Sequence, residues 1–211
     1  MQAFTVTVPA AFADKCLLRR VDCFQQRHPY YDLRIDTSNR LVDFTSDRVD
    51  VGIRYGAGTW SGLTSTFLLR DKFFPVCSPA LLRGKQKLKT PADLQHHLLI
   101  QDASMRSSGV FPTWRSWLQK AGCRNVVDCN RGIRINDSAA AYQTAISGNG
   151  VAPGRTTLVE HDLKEGKLVK PFDVAQSCEL AYYLVHKKRS ESAPPIVTFK
   201  EWLIAEAGSR A

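Results

Sequence analysis

The sequence lacks the patterns that identify membrane proteins, enzymes and metal proteins. Its 211 residues contain no apolar run of the ~20 residues needed to cross a bilayer, so we expect no membrane partner. There is no Gly-x-Ser-x-Gly elbow, no glycine-rich phosphate loop and no pair of histidines at metal-ligand spacing. We therefore predict that the chain is not an enzyme and carries no catalytic residues, no metal and no cofactor.

Paired cysteine motifs are also absent. None of the six cysteines forms a Cys-x-x-Cys pair, and none has a histidine at a spacing that suits zinc. The simplest interpretation is six small buried hydrophobic residues in a reducing cytoplasm, with redox sensing through a cysteine pair left as the alternative. The residues concerned are Cys16, Cys23, Cys77, Cys123, Cys129 and Cys178.

The N-terminus lacks the basic segment and long apolar core of a secretion signal. A strand pattern at Phe4–Val8 begins almost at once, as in a domain cut from a longer chain. The formal charge of +9 would suit a polyanionic partner, but the basic residues are scattered without interleaved aromatics. We interpret them as solvated faces rather than as a nucleic-acid surface.

The order of strand and helix patterns indicates an α/β protein with two halves. The first half reads βαβαβ, with one helix over 10–27 and a short helix over 41–46. The second half has two separate strands around Arg70, a helix over 139–147, a short strand that Pro153 and Gly154 stop, a strand over 179–186 and a final helix over 197–207. Before the helix over 139–147, the residues Trp114, Trp117 and Leu118 share one helical face, which we expect to be core rather than ligand-stacking. The two halves are expected to join near Pro75 and again near Tyr182.

The stretch 47–56 organises the first half. Val49, Val51 and Ile53 alternate as in a buried parallel strand, and Arg54 and Tyr55 follow at its carboxyl end. Ligands of open α/β sheets bind beyond such strand ends, where an arginine can make a bidentate pair of hydrogen bonds to a carboxylate or phosphate. The free amides of the helix that begins at Ala10 would face the same crevice. The alternative, equally open, is a surface arginine and a tyrosine packed under a loop.

An ordered set of short motifs resembles the effector-binding domain of LysR-type transcriptional regulators, in the branch of the glycine-cleavage activators, β-lactamase regulators and D-serine deaminase activator. The resemblance spans nearly the whole chain. The motifs are Leu41–Phe44, Asp50–Gly56, Trp60–Leu63, Pro75–Pro79, Pro91–Leu94, Gly148–Ala152, Gly166–Phe172 and Phe199–Leu203.

The resemblance implies a periplasmic-binding-protein-like fold of two doubly wound lobes joined by two crossover strands. Lobe I would comprise 1–75 with 181–211, and lobe II 76–180. It also implies a small-molecule effector in the cleft between the lobes, a homodimer that becomes a tetramer at full length, and a cytoplasmic bacterial regulator. A winged helix-turn-helix, upstream of this chain and absent from it, would bind DNA.

The same resemblance implies a set of ligand-binding residues. Ser138 also reads as a plain helix cap, Asp102 as a solvated loop carboxylate and Tyr182 as a core tyrosine, and these alternatives stay open. Two alanines replace the Ser or Thr that relatives place at the first helix N-terminus. The full set is Ala10, Ala11, Phe12, Thr37, Asp43, Arg54, Tyr55, Asp102, Ser138, Pro153 and Tyr182.

The expected effector is an amino acid, an organic acid or a peptidoglycan fragment, because Arg54 and the helix amides favour an anionic group. A solute-binding protein of periplasmic type has the same architecture and is the alternative function. The missing secretion signal and the unpaired-looking cysteines count against it.

Overall fold

The computed structural model describes residues 2–38, 44, 49–104 and 110–208. The chain divides into two compact units, residues 1–70 with 180–211 and residues 71–179. The sequence placed these divisions near residues 75 and 181. Strands β4 (Leu63–Val76) and β8 (Gln176–Lys187) each have residues in both units and are the two crossover strands. The predicted two-lobed α/β fold is confirmed.

The first unit is built on a mixed sheet whose strands include β1 (Gln2–Val8), β2 (Tyr31–Thr37) and β3 (Val51–Gly56). β1 pairs in parallel with β2 along its whole length, and with β3 through two residues. β3 pairs antiparallel with β8, from Val51 opposite His186 to Gly56 opposite Ala181. The carboxyl ends of β1, β2 and β3 therefore meet at one edge of the sheet.

The predicted helix over 10–27 is divided in the structure. Helix α1 (Ala10–Phe12) continues as one turn of π-helix (Ala13–Leu17), and α2 (Val21–Arg27) begins after a break at residues 18–20. The short helix expected over 41–46 lies outside the described residues except for Phe44.

Aromatic rings hold β1, α2 and the last helix, α6 (Pro194–Gly208), together. Phe4 meets Phe24 and Phe199 edge to face, with ring centroids 6.2 and 5.7 Å apart. Trp202 packs on Phe24 at 5.1 Å. Such edge-to-face contacts add to the burial of apolar area and fix the ring orientations.

The second unit contains the remaining elements, namely β5 (Ile100–Asp102), α3 (Trp114–Lys120), β6 (Ile133–Ile135), α4 (Ser138–Ile146), β7 (Ala152–Arg155) and α5 (Thr156–Lys164). Short 3-10 helices cover Pro79–Leu82, Pro91–His96 and, in the first unit, Lys188–Ser190; α6 spans Pro194–Gly208. β5 and β6 pair in parallel, and the end of β4 pairs antiparallel with β7. The core includes Trp114, Trp117 and Leu118, as their helical spacing predicted.

Two expectations about strands were wrong. Residues 63–76 form one strand rather than two, because the carboxylate of buried Asp71 accepts a hydrogen bond of 2.8 Å from the Thr157 amide and so fits inside the fold. Pro153 and Gly154 do not stop β7, which continues to Arg155. Pro153 lies opposite Pro75, and a proline has no amide hydrogen to leave unpaired in the ladder.

Candidate functional site

Arg54 lies at the strand-end edge of the first unit, and its guanidinium is held by neighbouring oxygens. The residue is 7% exposed. Its Nη2 donates to Thr7 Oγ1 at 3.0 Å, and its Nη1 donates to the Ile53 and Thr7 carbonyls at 2.8 and 3.3 Å. Burial lowers the pKa of Arg54, while the Asp36 carboxylate opposes that shift. The result is a buried cation in a fixed position, at an end of the sheet suited to an anionic ligand.

Three of the predicted residues form an aromatic row in the same unit. The Tyr182 ring lies 4.6 Å from the Phe12 ring and 4.6 Å from the Tyr55 ring. Tyr55 and Tyr182 are opposite each other in the β3–β8 ladder, so they are cross-strand neighbours. Tyr182 is buried and Tyr55 is partly exposed, which leaves Tyr55 as the member accessible to a ligand.

The other predicted residues of the first unit lie near the same edge or outside the described chain. Ala10 and Ala11 begin α1 directly after β1, and Ala11 is buried. Thr37 is the exposed last residue of β2, opposite Val8 at the end of β1. Asp43 lies outside the described residues.

A buried polar network occupies the second unit, and two predicted residues belong to it. Ser138 Oγ donates to Asp102 Oδ2 at 2.5 Å and accepts from Arg155 Nη2 at 2.9 Å. Ser104 Oγ is 3.0 Å from the same hydroxyl, and the Ser104 amide donates to Asp102 Oδ1 at 2.9 Å. Ser138 and Arg155 are 2% and 4% exposed, whereas Asp102 is only half-buried. The network thus presents the half-buried Asp102 carboxylate together with the buried Arg155 guanidinium, both bonded to Ser138.

The local structure explains why Asp102 and Ser138 meet. Asp102 ends β5 opposite Ile135, the last residue of β6, so both parallel strands end at one level. The cap of α4 is Asp137, whose carboxylate accepts from the Ala140 amide at 2.8 Å. Ser138 is the first helical residue, so it is not the helix cap that was the alternative interpretation of this position. Its hydroxyl is therefore available to Asp102 and Arg155.

Sequence reasoning missed Arg155, Ser104 and Tyr142. Arg155 follows the Pro153–Gly154 pair that was expected to stop β7, and the continued strand places it beside Ser138. Its guanidinium also lies 5.7 Å from the Phe111 ring centroid. Burial strongly raises the pKa of Tyr142, and Arg155 opposes that shift. Pro153 is two residues before Arg155 and so shares its face of β7.

Two kinds of feature are absent from the described ranges of the chain. No group of three or more His, Cys, Asp or Glu side chains there could hold a metal ion. No helix in those ranges is both long and apolar enough to span a bilayer.

Comparison with known proteins gives consistent results. The family model "LysR substrate binding domain" matches residues 2–208. The glycine cleavage system transcriptional activator of Escherichia coli K12 is 35% identical over 207 residues, which cover 98% of this chain and 66% of that protein. The HTH-type transcriptional activator AmpR of Citrobacter koseri is 29% identical over 98% of this chain and 68% of its own length. The chain thus spans about two thirds of these curated relatives.

A solved structure agrees with these sequence matches. The effector domain of the transcriptional regulator AmpR of Pseudomonas aeruginosa superposes with a TM-score of 0.81 at 28% identity, covering 100% of this chain and 98% of that one. These relatives are transcriptional regulators, not enzymes, as the sequence predicted for this chain. The resemblance read from the short motifs is confirmed. The chain belongs to the LysR substrate binding domain family and is the effector-binding domain of a LysR-type transcriptional regulator.

Proposed function

We propose that the chain binds a small polar metabolite with an anionic group, and that binding changes the activity of the longer regulator. The observation that carries this proposal is the Asp102–Ser138–Arg155 network at the ends of two parallel strands. The ends of strands in α/β sheets are where such folds bind ligands. A buried guanidinium beside a half-exposed carboxylate complements a molecule that carries both an acid and an amine, such as an amino acid.

The first unit, taken by itself, offers its own groups for a polar ligand. Arg54 supplies a positive charge whose position Thr7 and Ile53 fix. Tyr55 supplies a partly exposed ring backed by Tyr182. Ala10, Ala11, Phe12, Thr37, Asp43 and Pro153 remain proposed ligand-lining positions. Amino acids, organic acids and peptidoglycan fragments are the candidate ligand classes.

Thermal unfolding in the presence of candidate metabolites tests this proposal. A ligand at 100 times its Kd stabilises the folded state by about 2.7 kcal/mol. For a domain of this size that corresponds to a rise in Tm of roughly 5–10 °C. We expect one class to produce such a rise in the unmodified domain.

Conservative variants identify the residues. Ser138→Ala and Arg54→Lys should remove most of the rise, because each loses a directed hydrogen bond of the site. Ser147→Ala, at the exposed end of the same helix as Ser138, should keep it. A full response in Arg54→Lys and Ser138→Ala would remove both residues from the site.

We also propose that the full-length protein is a cytoplasmic regulator that binds DNA through an N-terminal winged helix-turn-helix. It would be a dimer through this domain and a tetramer at full length. A ligand shifts such an assembly only by its different affinity for two arrangements. Light scattering of the full-length protein gives its mass, and footprinting of its operator with and without effector tests the switch. A monomer, or a footprint that effector leaves unchanged, would contradict this part.

A further inference from the structure

The Ser104 hydroxyl takes the last hydrogen-bonding position of the Ser138 hydroxyl. A hydroxyl donates once and accepts twice. Because a carboxylate only accepts and a guanidinium only donates, the Ser138 proton goes to Asp102 Oδ2 and one Ser138 lone pair faces Arg155 Nη2. The 3.0 Å contact between Ser138 Oγ and Ser104 Oγ therefore uses the Ser104 proton and the second Ser138 lone pair. Any other group can bond to Ser138 Oγ only by replacing one of these three partners.

Ser104 is the partner that a ligand can replace at the lowest cost. Asp102 is held in the β5–β6 ladder, and Arg155 is 4% exposed at the end of β7. Both are charged, and hydrogen bonds to charged groups are stronger than bonds between neutral groups. Ser104 is neutral and partly exposed, and it lies two residues beyond the end of β5. Because Ser138 is 2% exposed, a ligand reaches its hydroxyl where Ser104 moves away.

The group that replaces the Ser104 hydroxyl has to be a hydrogen-bond donor. It must donate to Ser138 Oγ, and it comes to lie beside the Asp102 carboxylate, which also accepts from the Ser104 amide at 2.9 Å. A protonated amine has three N–H donors and a positive charge, so it can bond to Ser138 Oγ and pair with Asp102 together. A ligand carboxylate has no proton to donate and is repelled by Asp102.

We infer that Asp102 and Ser138 bind a protonated amine of the effector, and that this amine displaces the Ser104 hydroxyl. The inference rests on the proposed function, since it takes the effector to bind at this network. It goes further by assigning the amine rather than the acid of the effector to the network. Ser104 then acts as an internal competitor of the effector. Amino acids and amine-bearing fragments fit this site, whereas organic acids without an amine do not.

Four pairs of compounds test the inference in the unmodified domain. Glycine and glycolate, alanine and lactate, serine and glycerate, and aspartate and malate differ only by an amine in place of a hydroxyl, and each chiral compound is used as both enantiomers. Titration calorimetry gives the affinities. We expect at least one amino acid to bind at least about tenfold more tightly than its hydroxy acid, because only the amine forms a charge-assisted pair with Asp102.

Ser104→Ala separates competition from a supporting role. It removes the competing hydroxyl, so the same amino acid should bind roughly three- to tenfold more tightly than to the unmodified domain. A Ser104 hydroxyl that supported the site or touched the ligand would give weaker binding on removal. Ser147→Ala removes an exposed hydroxyl of α4 outside the network and is the control, with unchanged affinity expected.

Asp102→Asn tests the amine assignment. It keeps the shape of the side chain and removes its charge, so the preference for the amino acid over the hydroxy acid should fall to less than about threefold. Ser147→Ala should retain the full preference. Because Ser104→Ala keeps every charge of the network, it tests the inference even where Asp102→Asn does not fold.

The outcomes separate this inference from the proposed function. A hydroxy acid that binds as tightly as its amino acid would overturn the inference and leave the proposed function standing. Unchanged or weaker binding in Ser104→Ala, or a full preference in Asp102→Asn, would also overturn it. If none of these compounds binds, the inference is overturned, and thermal unfolding with peptidoglycan fragments then decides the proposed function.

Discussion

Ser138 illustrates how completely one hydroxyl can be specified by its surroundings. It can donate one hydrogen bond and accept two, and the structure gives it Asp102, Arg155 and Ser104 as partners. A side chain that is 2% exposed cannot replace these partners with water. Its removal takes one hydrogen bond from a charged donor and one from a charged acceptor. This is the costly kind of buried substitution.

We expect Ser138→Ala to lower the free energy of unfolding by about 1–3 kcal/mol, because the Arg155 guanidinium and the Asp102 carboxylate each lose a hydrogen bond. Urea unfolding followed by circular dichroism measures the change. Ser147→Ala is the control on the same helix, since its exposed hydroxyl donates only to the Gln143 carbonyl. It should stay within about 0.5 kcal/mol of the unmodified domain. Equal effects of the two substitutions would contradict a structural role for the network.

Cys77 provides a second prediction at the residue scale. It is fully buried, and burial raises the pKa of its thiol to about 11. Because the thiolate is the reactive form, iodoacetamide at pH 8 should not modify Cys77 in the folded domain. Cys23 and Cys129 are partly exposed and should react faster. Peptide mass spectrometry measures the modified fraction at each site. Labelling of Cys77 at the rate of Cys23 would favour the alternative of a redox-active cysteine.

At the scale of elements, the 3-10 helix Pro91–His96 has a capping box that should be sensitive to pH. Asp93 Oδ2 accepts from the amides of Thr90 and Lys89 at 2.7 and 3.0 Å. These two backbone hydrogen bonds hold the pKa of Asp93 below its ordinary value of 3.8. A carboxylate with a lowered folded-state pKa stabilises the fold above its unfolded-state pKa. That stabilisation is lost as the pH falls through the folded-state value.

We therefore expect Asp93→Asn to be less stable than the unmodified domain at pH 6, since an amide accepts these hydrogen bonds less strongly than a carboxylate. The difference in the free energy of unfolding should shrink steadily below about pH 4. Urea unfolding of both proteins between pH 6 and pH 3 measures it. Asp173→Asn changes a carboxylate for which the structure gives no capping contact, and it serves as the control. A difference that does not change with pH would exclude the carboxylate as the cause.

The elements also show what sequence patterns can and cannot predict. Helical spacing correctly placed Trp114, Trp117 and Leu118 in the core, because a buried helix face repeats with the helical period. The same spacing missed the π-helical turn at Ala13–Leu17, where the ladder takes in one extra residue without any proline or glycine as a signal. The predicted end of β7 was wrong for a different reason. Pro153 normally stops a strand, and only the pairing with Pro75 in the folded chain permits it.

The residues of the candidate site also differ in whether the sequence could place them. Asp102 and Ser138 were predicted from the family resemblance, and the structure places them at a strand end and at a helix start. Arg155 could not be predicted, since its position depends on β7 continuing through a proline. Arg54 was placed at the correct strand end, but its bonds to Thr7, 47 positions away, depend on the β1–β3 pairing. Contacts between distant segments are what local patterns leave undetermined.

At the scale of the whole molecule, the charge of +9 raises the question of whether this domain itself contacts DNA. Its basic residues form small groups rather than one stripe. Arg20 of the pair at 19–20 is already engaged by Glu206. Arg83, Lys85, Lys87 and Lys89 are exposed and have no aromatic residue between them on which a base could stack. Such scattered charges bind phosphates without regard to sequence.

We therefore expect the isolated domain to bind duplex DNA without sequence preference, with a Kd no tighter than roughly 10⁻⁶ M at physiological salt. Its affinity should fall steeply as salt rises, since counterion release would supply nearly all of the binding free energy. Fluorescence anisotropy with the operator and with a scrambled duplex of equal length, across a salt series, measures both properties. The full-length regulator should instead prefer its operator by at least about 10³-fold. A preference of that size in the isolated domain would mean that these residues recognise the operator. It would contradict the proposal that an N-terminal winged helix-turn-helix binds the DNA.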